Sequence, residues 1–281
     1  MLSDEAVGKL GPRHADSREL EAPGTRSVDR AFAILSVFRE VDTDLGVNDI
    51  ARRLSLTSST VHRIMRVLTR HGYLTQDHDT EDYCLGRGAY LLGQAASRRL
   101  GLHRALPILQ RTVALSGESV NLGMRDADEM VVIAQAESEH PLRISQRPGS
   151  RLPVHASGMG KATMACGASI EDEVSALVKP LRTVTPNTIV SVEKFSAELQ
   201  AIRDRGYSFD DEEAILGVRC VGAPIVSANG HVIAALAIQG PVVRMSPSRM
   251  EELAALAIAA AKEVAEVLPG TADELVSPKA S

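Results

Sequence analysis

The sequence predicts a two-domain α+β protein, in which a small, mainly helical domain precedes a larger domain of mixed helices and strands. Three observations support this prediction. The chain has 281 residues, a length typical of two domains. Between Leu45 and Leu74, two short amphipathic helical patterns are separated by a brief turn. Beyond Gly101, short apolar runs typical of strands are interspersed with longer helical patterns.

The composition is that of an ordinary soluble protein, with 44% hydrophobic and 24% charged residues. A net charge of −5 argues against general polyanion binding, so any affinity for nucleic acid must come from a local patch. Cys84, Cys166 and Cys220 lie far apart, which predicts reduced thiols in a cytoplasmic protein without a zinc site or disulfides. No apolar run of 18 residues is present, and Asp4 and Glu5 are unlike a signal peptide, so no membrane association is expected.

The first segment up to Arg26 is polar and aperiodic, which predicts a disordered arm over residues 1–26. A helix is predicted for Ser27–Glu40, with Ser27 as its N-cap. Apolar residues recur in it at helical spacing, and we expect this stripe to face inward: Val28, Ala31, Phe32, Leu35 and Phe38.

Two further helical patterns lie on either side of the turn Ser55-Leu56. Each has an apolar stripe, formed by Val47, Ile50, Ala51 and Leu54 in the first and by Val61, Ile64, Met65 and Leu68 in the second. Thr57 or Ser58 can cap the second helix with its hydroxyl, and Gly72 ends it. This arrangement predicts a helix-turn-helix, whose second helix enters the major groove of DNA.

The polar face of that second helix is cationic. Between Thr57 and His71 the chain has three arginines and no acid. Guanidinium groups at this spacing can meet phosphates or the edge of guanine, although a solvated helix face is the simpler alternative. We expect the DNA contacts to come from this face and from the start of the helix, namely from Ser58, Ser59, Thr60, His62, Arg63, Arg66 and Arg70.

Two short strands, Tyr73–Thr75 and Tyr83–Leu85, predict a wing that completes a winged helix-turn-helix domain over residues 27–86. The tip of this wing is acidic, with Asp77, Asp79, Glu81 and Asp82, and this argues against deep insertion into a DNA groove. The following periodic stretch predicts a linker helix over residues 87–101, with Gly101 at the seam between the domains.

The second domain is predicted over residues 102–269, followed by a flexible tail over residues 270–281. Periodicity predicts helices at His103–Ser116, Glu171–Val178, Val192–Arg205 and from Ser246-Pro247 to about Leu268. Strands are predicted at Val120–Arg125, Met130–Ala136, Arg143–Gln146, from Tyr207 onward, Val218–Val226 and His231–Gln239. Asn229-Gly230 predicts a hairpin between the last two strands, because both residues tolerate positive φ.

The segment from Gly149 to Ala162 predicts a loop that runs into a helix. Such a helix start offers unpaired N–H groups and a favourable dipole to an anion, but the spacing of a Walker A loop is absent. His155 lies near Ser157, yet Ser157 is not in a nucleophile elbow and no acid is placed to orient the histidine. We therefore expect no catalytic residue and no cofactor, and the scattered histidines have no metal-ligand spacing.

Several short motifs follow one another in an order and spacing that together are highly specific. They are Ser27–Ala31, Ser59–Arg63, Gly149–Ala162, Arg205–Tyr207, Asp210–Glu213 and Gly217–Pro224. On these motifs the chain resembles the isocitrate lyase regulator (IclR) family of bacterial transcription regulators. The resemblance extends over roughly Ser27 to Leu268. It implies a winged helix-turn-helix joined to a GAF-like α+β effector-binding domain, and homodimers or dimers of dimers.

The resemblance also implies a pocket for a small organic acid or an aromatic catabolite, formed by Ile144, Gly158, Met159, Asp210, Cys220, Ala237 and Gln239. Family members often have serines at the last two positions, so Ala237 and Gln239 remove two hydroxyl donors and add one amide. Within the acidic run Asp210–Glu213, only Asp210 has a positional reason to face inward. A small buried thiol in an apolar strand is the alternative interpretation of Cys220.

These observations together predict a ligand-responsive regulator, a repressor or an activator, that binds double-stranded operator DNA and controls a catabolic operon. Because one recognition helix covers few base pairs, we expect a dimer that forms through the N-terminal domain and the linker helix. The alternative is a metabolite-binding protein or an enzyme that carries an accessory helical domain. The lack of a catalytic constellation argues against an enzyme.

Overall fold

The computed structural model describes residues 25–39, 41, 43–177 and 179–269. These residues belong to two compact units whose boundary lies between Ser97 and Arg98. The predicted arm, apart from Thr25 and Arg26, and the predicted tail over residues 270–281 lie outside the described residues. The same is true of Glu40 and Val178, the predicted last residues of two helices.

Within the described residues, the first unit contains three complete helices, a two-stranded antiparallel sheet, and a fourth helix except for its last two residues. In chain order these are α1 (Arg26–Arg39), α2 (Val47–Leu54), α3 (Ser58–Arg70), β1 (Leu74–Gln76), β2 (Tyr83–Leu85) and α4 (Arg87–Arg99). Ser55 adopts a left-handed conformation (φ 53°) and turns the chain from α2 toward α3. Thr57 is the N-cap of α3, and its side chain accepts a hydrogen bond from the Thr60 N–H, as predicted.

The end of α3 also matches its prediction. Gly72 has a φ of +76°, a conformation that glycine adopts without steric cost. The Tyr73 N–H then reaches back to the Leu68 carbonyl at 2.9 Å, which satisfies a group that the end of the helix would leave unpaired. This turn directs the chain into β1, so that the wing follows the recognition helix directly.

The core of the first unit unites α1, α2, α3 and the wing. Its buried side chains include Ile34, Ile50, Met65, Leu74 and Tyr83. The predicted inner stripe of α1 is wrong at two positions, because Val28 is 54% exposed and Phe32 is 66% exposed. The helix buries Ile34, Val37 and Phe38 instead, since its C-terminal half is the part that α2 and α3 cover. The helix also begins at Arg26, which places Ser27 inside it and not at its N-cap.

The second unit is built around a six-stranded antiparallel sheet with the order β5-β4-β3-β8-β7-β6. Its strands are β3 (Ser119–Asp126), β4 (Glu129–Ala136), β5 (Arg151–Pro153), β6 (Ser208–Asp211), β7 (Val218–Val226) and β8 (Val232–Pro241). Its helices are α5 (Leu102–Ser116), α6 (Gly158–Ala165), α7 (Ile170–Ala176), α8 (Val192–Arg205) and α9 (Pro247–Val267).

Each face of this sheet carries its own hydrophobic core. On one face, α5 and α9 pack against side chains such as Leu122 and Leu236. On the other face, α6, α7 and α8 pack against side chains such as Val132 and Ala235. The sheet is thus covered on both faces, and alternate residues of its central strands point to opposite cores.

The predicted strand at Arg143–Gln146 is not present. The edge strand of the sheet is β5, which pairs with β4 from Glu129↔Pro153 to Val131↔Arg151. Residues 143–146 are irregular, and at Gln146 the main chain pairs with a side chain in place of a strand: the Gln135 amide accepts from the Gln146 N–H and donates to the Gln146 carbonyl. The hairpin between β7 and β8 is confirmed, with positive φ at Gly230 alone of the predicted turn pair.

Candidate functional site

The second helix of the helix-turn-helix, α3, separates an apolar face from a cationic one. Val61, Ile64, Met65 and Leu68 are buried in the core of the first unit. His62, Arg63, Arg66 and Arg70 are all exposed. Within the described chain, none of the three guanidinium groups has an ion-pair or hydrogen-bond partner. Their charge is therefore available to an anionic ligand such as the DNA backbone.

The hydroxyl groups at the start of α3 form hydrogen bonds within the first unit. Ser58 donates a hydrogen bond to the Asn48 side chain at 2.8 Å, which ties α3 to α2. The Thr57 hydroxyl lies 2.9 Å from the Thr60 hydroxyl and 3.2 Å from that of Ser59. Of the predicted polar DNA contacts, Ser58 and Ser59 are exposed and Thr60 is half-buried. These bonds orient the helix start, and the hydroxyl oxygens keep lone pairs for further contacts.

The acidic wing tip is organised by Asp77. Its side chain accepts hydrogen bonds from the N–H groups of Asp79 and Thr80, both at 2.9 Å, and from the Thr80 hydroxyl at 3.1 Å. The N–H of Thr80, followed by that of Asp79, lowers the pKa of the Asp77 carboxyl. Asp77 thus keeps its negative charge at neutral pH, which is consistent with a wing that does not enter a DNA groove.

The second unit contains a small cleft between the N-terminus of α6 and the sheet. Six of the seven predicted pocket residues line it: Gly158, Met159, Asp210, Cys220, Ala237 and Gln239. Ile144 does not line the cleft and is half-buried; Gln146 takes its place. The sequence reasoning also missed Leu152, Ser157, Ala214, Ile215 and Val218.

Two of these additional lining residues, Val218 and Ser157, could have been identified from the sequence. Val218 is two residues before Cys220 in one strand, so it shares the same face of the sheet. Ser157 precedes Gly158 as the N-cap of α6 and accepts a hydrogen bond from the Gly160 N–H at 3.1 Å. Ala214 and Ile215 lie in an irregular connection, where no periodicity could have placed them.

Close backbone contact holds the start of α6 against the sheet. A Cβ atom at Gly222 would lie 2.5 Å from the Gly158 carbonyl oxygen, too close for any residue but glycine. Ser208 adds a hydrogen bond from its hydroxyl to the same carbonyl at 2.6 Å. The first N–H groups of α6, which have no partner within the helix, are thereby fixed at the cleft.

Asp210 is an acidic residue of the cleft lining that is removed from solvent. It is fully buried on β6, directly opposite Cys220, and accepts hydrogen bonds from the N–H groups of Glu213 at 2.8 Å and Ala214 at 3.3 Å. Burial raises the pKa of Asp210 to about 7. The neighbouring Lys161 opposes this rise in pKa, and Glu213 adds to it. The carboxyl can therefore donate or accept a hydrogen bond near neutral pH.

Cys220 is a neutral thiol in this setting. Burial, followed by the neighbouring Asp210 carboxyl, raises the pKa of Cys220 well above its usual range. Its sulfur lies 3.8 Å from the Gln239 side-chain oxygen. The predicted alternatives for Cys220 are compatible, since a buried thiol on this strand also lines the cleft.

A second acid of the run is buried as well, and this corrects the expectation that only Asp210 faces inward. Glu213 forms an ion pair with Lys161 of α6, and both side chains are almost completely removed from solvent. Lys161 stands in a helix whose other residues are all apolar or small, and every residue of that helix is buried. A charged side chain in such a helix needs a buried counter-ion, which is the signal that could have identified Glu213.

Comparison with known proteins agrees with this architecture. The sequence model of the IclR helix-turn-helix domain family matches residues 27–78. The sequence model of the bacterial transcriptional regulator IclR C-terminal family matches residues 94–266. The chain belongs to the IclR family of bacterial transcription regulators. The family resemblance, the two-part fold and the prediction of a transcription regulator are thus confirmed.

Two relatives show the extent of the similarity. The chain is 35% identical to the HTH-type transcriptional regulator BhcR of Paracoccus denitrificans, over 87% of this chain and 88% of that protein. It is also 35% identical to the transcriptional repressor IclR of Escherichia coli, over 86% of this chain and 91% of the repressor. These relatives are named as regulators, which supports the prediction of a regulator over that of an enzyme.

Solved structures of IclR-family proteins share the fold. An IclR regulator from Alicyclobacillus acidocaldarius superposes with a TM-score of 0.77 at 25% identity, covering 85% of this chain and 97% of that one. An IclR homologue from Microbacterium hydrocarbonoxydans, crystallised with 4-hydroxybenzoate, gives a TM-score of 0.74 at 26% identity, with 85% and 99% coverage. Among the described residues of this chain, no helix has the length and apolarity to cross a membrane.

Proposed function

We propose that this IclR-family member is a cytoplasmic repressor that binds double-stranded operator DNA through α3 and releases it when a small organic acid or aromatic catabolite enters the cleft. The observation that carries the proposal is the convergence of polar groups on one buried site. The free N–H groups at the start of α6, the Asp210 carboxyl and the Gln239 amide all line the same cleft. Such convergence in a small cleft is typical of ligand sites.

The chemistry of this lining favours an acid. The first N–H groups of Gly158 and Met159 and the positive end of the α6 dipole favour a carboxylate at that end of the cleft. Asp210 does not oppose an anion when it is protonated, and its raised pKa keeps a protonated fraction near neutral pH. The relative crystallised with 4-hydroxybenzoate, an aromatic acid, supports the same class of effector for this chain.

Assembly as a homodimer, alone or as a dimer of dimers, belongs to the proposal. The helix α4 buries none of its residues within the described structure. Its Tyr90, Leu91 and Leu92 are exposed, as are Val28 and Phe32 of α1. Because an isolated helix of this length is marginal in water, a second copy that covers these apolar side chains would stabilise it. Two recognition helices would then read two half-sites.

The experiment is a mobility-shift titration of the intergenic duplex beside the gene, with a panel of small aliphatic and aromatic carboxylates as effectors. We expect at least one of these acids to weaken DNA binding by the wild-type protein. The variant Ala237→Leu fills the cleft at a buried lining position and should bind the duplex but ignore the acid. The matched control Ala201→Leu, at an exposed position of α8, should respond like the wild type.

Two results would contradict the proposal. One is a protein whose DNA binding no carboxylate of the panel changes. The other is an Ala237→Leu variant that is folded and releases DNA at the same concentration of acid as the wild type.

A further inference from the structure

Two buried polar atoms on the cleft side of the sheet have no hydrogen-bond partner in the described chain. One is Nε2 of Gln239, a donor, and the other is Oδ1 of Asn121, an acceptor. Gln239 is 1% exposed and Asn121 is completely buried. Because more than about 90% of buried polar groups in proteins are paired, two unpaired groups beside one cleft indicate that something else pairs them.

The strand register places these two side chains on the same face. In the antiparallel pair of β3 and β8, Asn121 lies opposite Ala237, and Ser119 lies opposite Gln239. Residues two apart along a strand point to the same side, so Asn121 and Gln239 are diagonal neighbours. Ala237, which lies directly opposite Asn121, and Gln239 both line the cleft.

Each amide is oriented by its other end. The Asn121 Nδ2 donates to Oε1 of Gln146 at 2.6 Å, which leaves Oδ1 as the unpaired end. The Gln239 Oε1 is the acceptor that lies 3.8 Å from the Cys220 sulfur, which leaves Nε2 as the unpaired end. Gln146 and Cys220 both line the cleft as well. The protein thus places one unpaired donor and one unpaired acceptor on the same face of the sheet, and the neighbours that hold them both line the cleft.

We propose that Asn121 and Gln239 together select an effector that carries, besides its acid group, a hydroxyl or a primary carboxamide. Such a group accepts a hydrogen bond from Gln239 Nε2 and donates one to Asn121 Oδ1. A carboxylate has no hydrogen to donate, so it leaves the Asn121 oxygen unpaired. Asn121, which the sequence did not single out, is then a specificity-determining residue. The inference rests on the proposed function, since it names the class of effector for that cleft.

The selectivity has a physical basis in the cost of unpaired groups. An acid without the second group would leave both amide ends unpaired, whereas a hydroxylated acid pairs both. Sites built to hydrogen-bond a substrate group discriminate strongly against analogues that lack it. We therefore expect the hydroxylated or amidated member of a matched pair of acids to bind at least tenfold more tightly.

The experiment is calorimetric titration of the full-length protein with three matched pairs of probes. These are benzoate with 4-hydroxybenzoate, butyrate with 4-hydroxybutyrate, and butyrate with succinamate, in which a carboxamide replaces the terminal methyl group. In at least one pair, the second member should bind at least tenfold more tightly than the first. Gln239→Met, which keeps the length and removes the amide, should reduce this difference to less than twofold, because the second member of the pair loses its hydrogen-bond donor.

The thermal stability of the Gln239→Met variant shows whether it folds. Since Gln239→Met removes an unpaired buried donor, the Tm of the variant should equal or exceed that of the wild type. The control Thr112→Val removes a buried hydroxyl from α5, on the opposite face of the sheet, and should keep the wild-type preference among the probes. A crystal structure of the wild type with its tightest probe supplies a test that depends on no variant, and there the hydroxyl or amide should lie within hydrogen-bond distance of both atoms.

The inference is overturned if every simple acid binds as tightly as its partner, or if Gln239→Met weakens both members of a pair equally. It is also overturned if water molecules pair both amides while the second group of the probe lies elsewhere. If none of the probes binds, the class of effector named here is wrong. A DNA-binding response to a different carboxylate would in that case leave the proposed function standing, so the two failures are distinguishable.

Discussion

Lys161 and Glu213 form an ion pair that is almost completely buried, with 1% and 8% of their side chains exposed. The pair joins α6, which forms one wall of the cleft, to the turn after β6, which carries Asp210. Burial raises the pKa of Glu213, and Lys161 opposes that rise. The second Glu213 carboxylate oxygen has no partner within the described residues. This buried ion pair therefore connects the two walls of the cleft, and its loss would affect both of them.

Removal of the lysine alone should be strongly destabilising. Lys161→Met leaves the Glu213 carboxylate buried without a counter-ion, and breaking such a pair costs about 3–5 kcal/mol. The double variant Lys161→Met with Glu213→Leu removes both charges and should recover most of the loss. Urea unfolding followed by circular dichroism measures these differences. If the single variant is as stable as the wild type, the pair contributes no net stability to the fold.

The stability of the second unit should depend on pH through Asp210. Its pKa is about 7 in the folded protein and ordinarily 3.8. Because the folded pKa is raised, the folded state holds the extra proton between these values, and stability falls as pH rises from about 4 to about 7. One such proton contributes a slope of at most about 1.4 kcal/mol per pH unit.

Asp210→Asn provides the test, since its side-chain oxygen can still accept from the Glu213 and Ala214 N–H groups. Unfolding of the wild type and of the variant is measured at several pH values, and the difference between them should carry this slope. Asp211→Asn, at the exposed neighbour that pairs with Arg219, is the matched control and should behave like the wild type. Parallel pH profiles for the wild type and Asp210→Asn would contradict the assignment.

Two arginines of α3 should affect DNA binding in different ways. Arg63 lies nearer the N-terminal half of the helix, which usually reaches base edges, so Arg63→Ala should cost about 1–3 kcal/mol on the operator and relax specificity. Arg66 lies further along, so Arg66→Ala should weaken all sequences alike and lower the salt slope by about one. Both side chains are exposed, and folding should survive both changes.

The measurement is the affinity of each variant for operator and for random duplex across a salt series. Arg143→Ala, at an exposed arginine of the second unit, is the control and should leave both affinities unchanged. Operator binding at wild-type strength by both α3 variants would show that this helix does not read the DNA.

A charge within the exposed apolar surface of the first unit should prevent dimerisation. Phe32 of α1 and Leu91 of α4 are exposed, although both are apolar. The variants Phe32→Asp and Leu91→Asp should shift the protein toward monomer by light scattering at micromolar concentration, because a carboxylate is costly to bury in an apolar interface. Leu115→Asp, at an exposed leucine of α5, is the matched control and should leave the assembly unchanged. A wild-type protein that is already monomeric would rule out the proposed dimer.

Local periodicity was sufficient to predict many of the helices and strands of this protein. The helix-turn-helix, its Thr57 cap, the helix Val192–Arg205 and the strand Val218–Val226 were all predictable, because amphipathic spacing and capping depend on residues close in sequence. The family motifs also identified six residues that line the cleft.

Tertiary structure alone decided the rest. Whether Phe32 or Ile34 faced inward depended on which part of α1 the neighbouring helices cover. The pairing of Lys161 with Glu213, 52 positions apart, and the approach of Asn121 to Gln239 across a strand pair depended on the register of distant segments. Periodicity assigns a residue to a face of its own element, whereas the partner on that face is set by how elements far apart in sequence pack together.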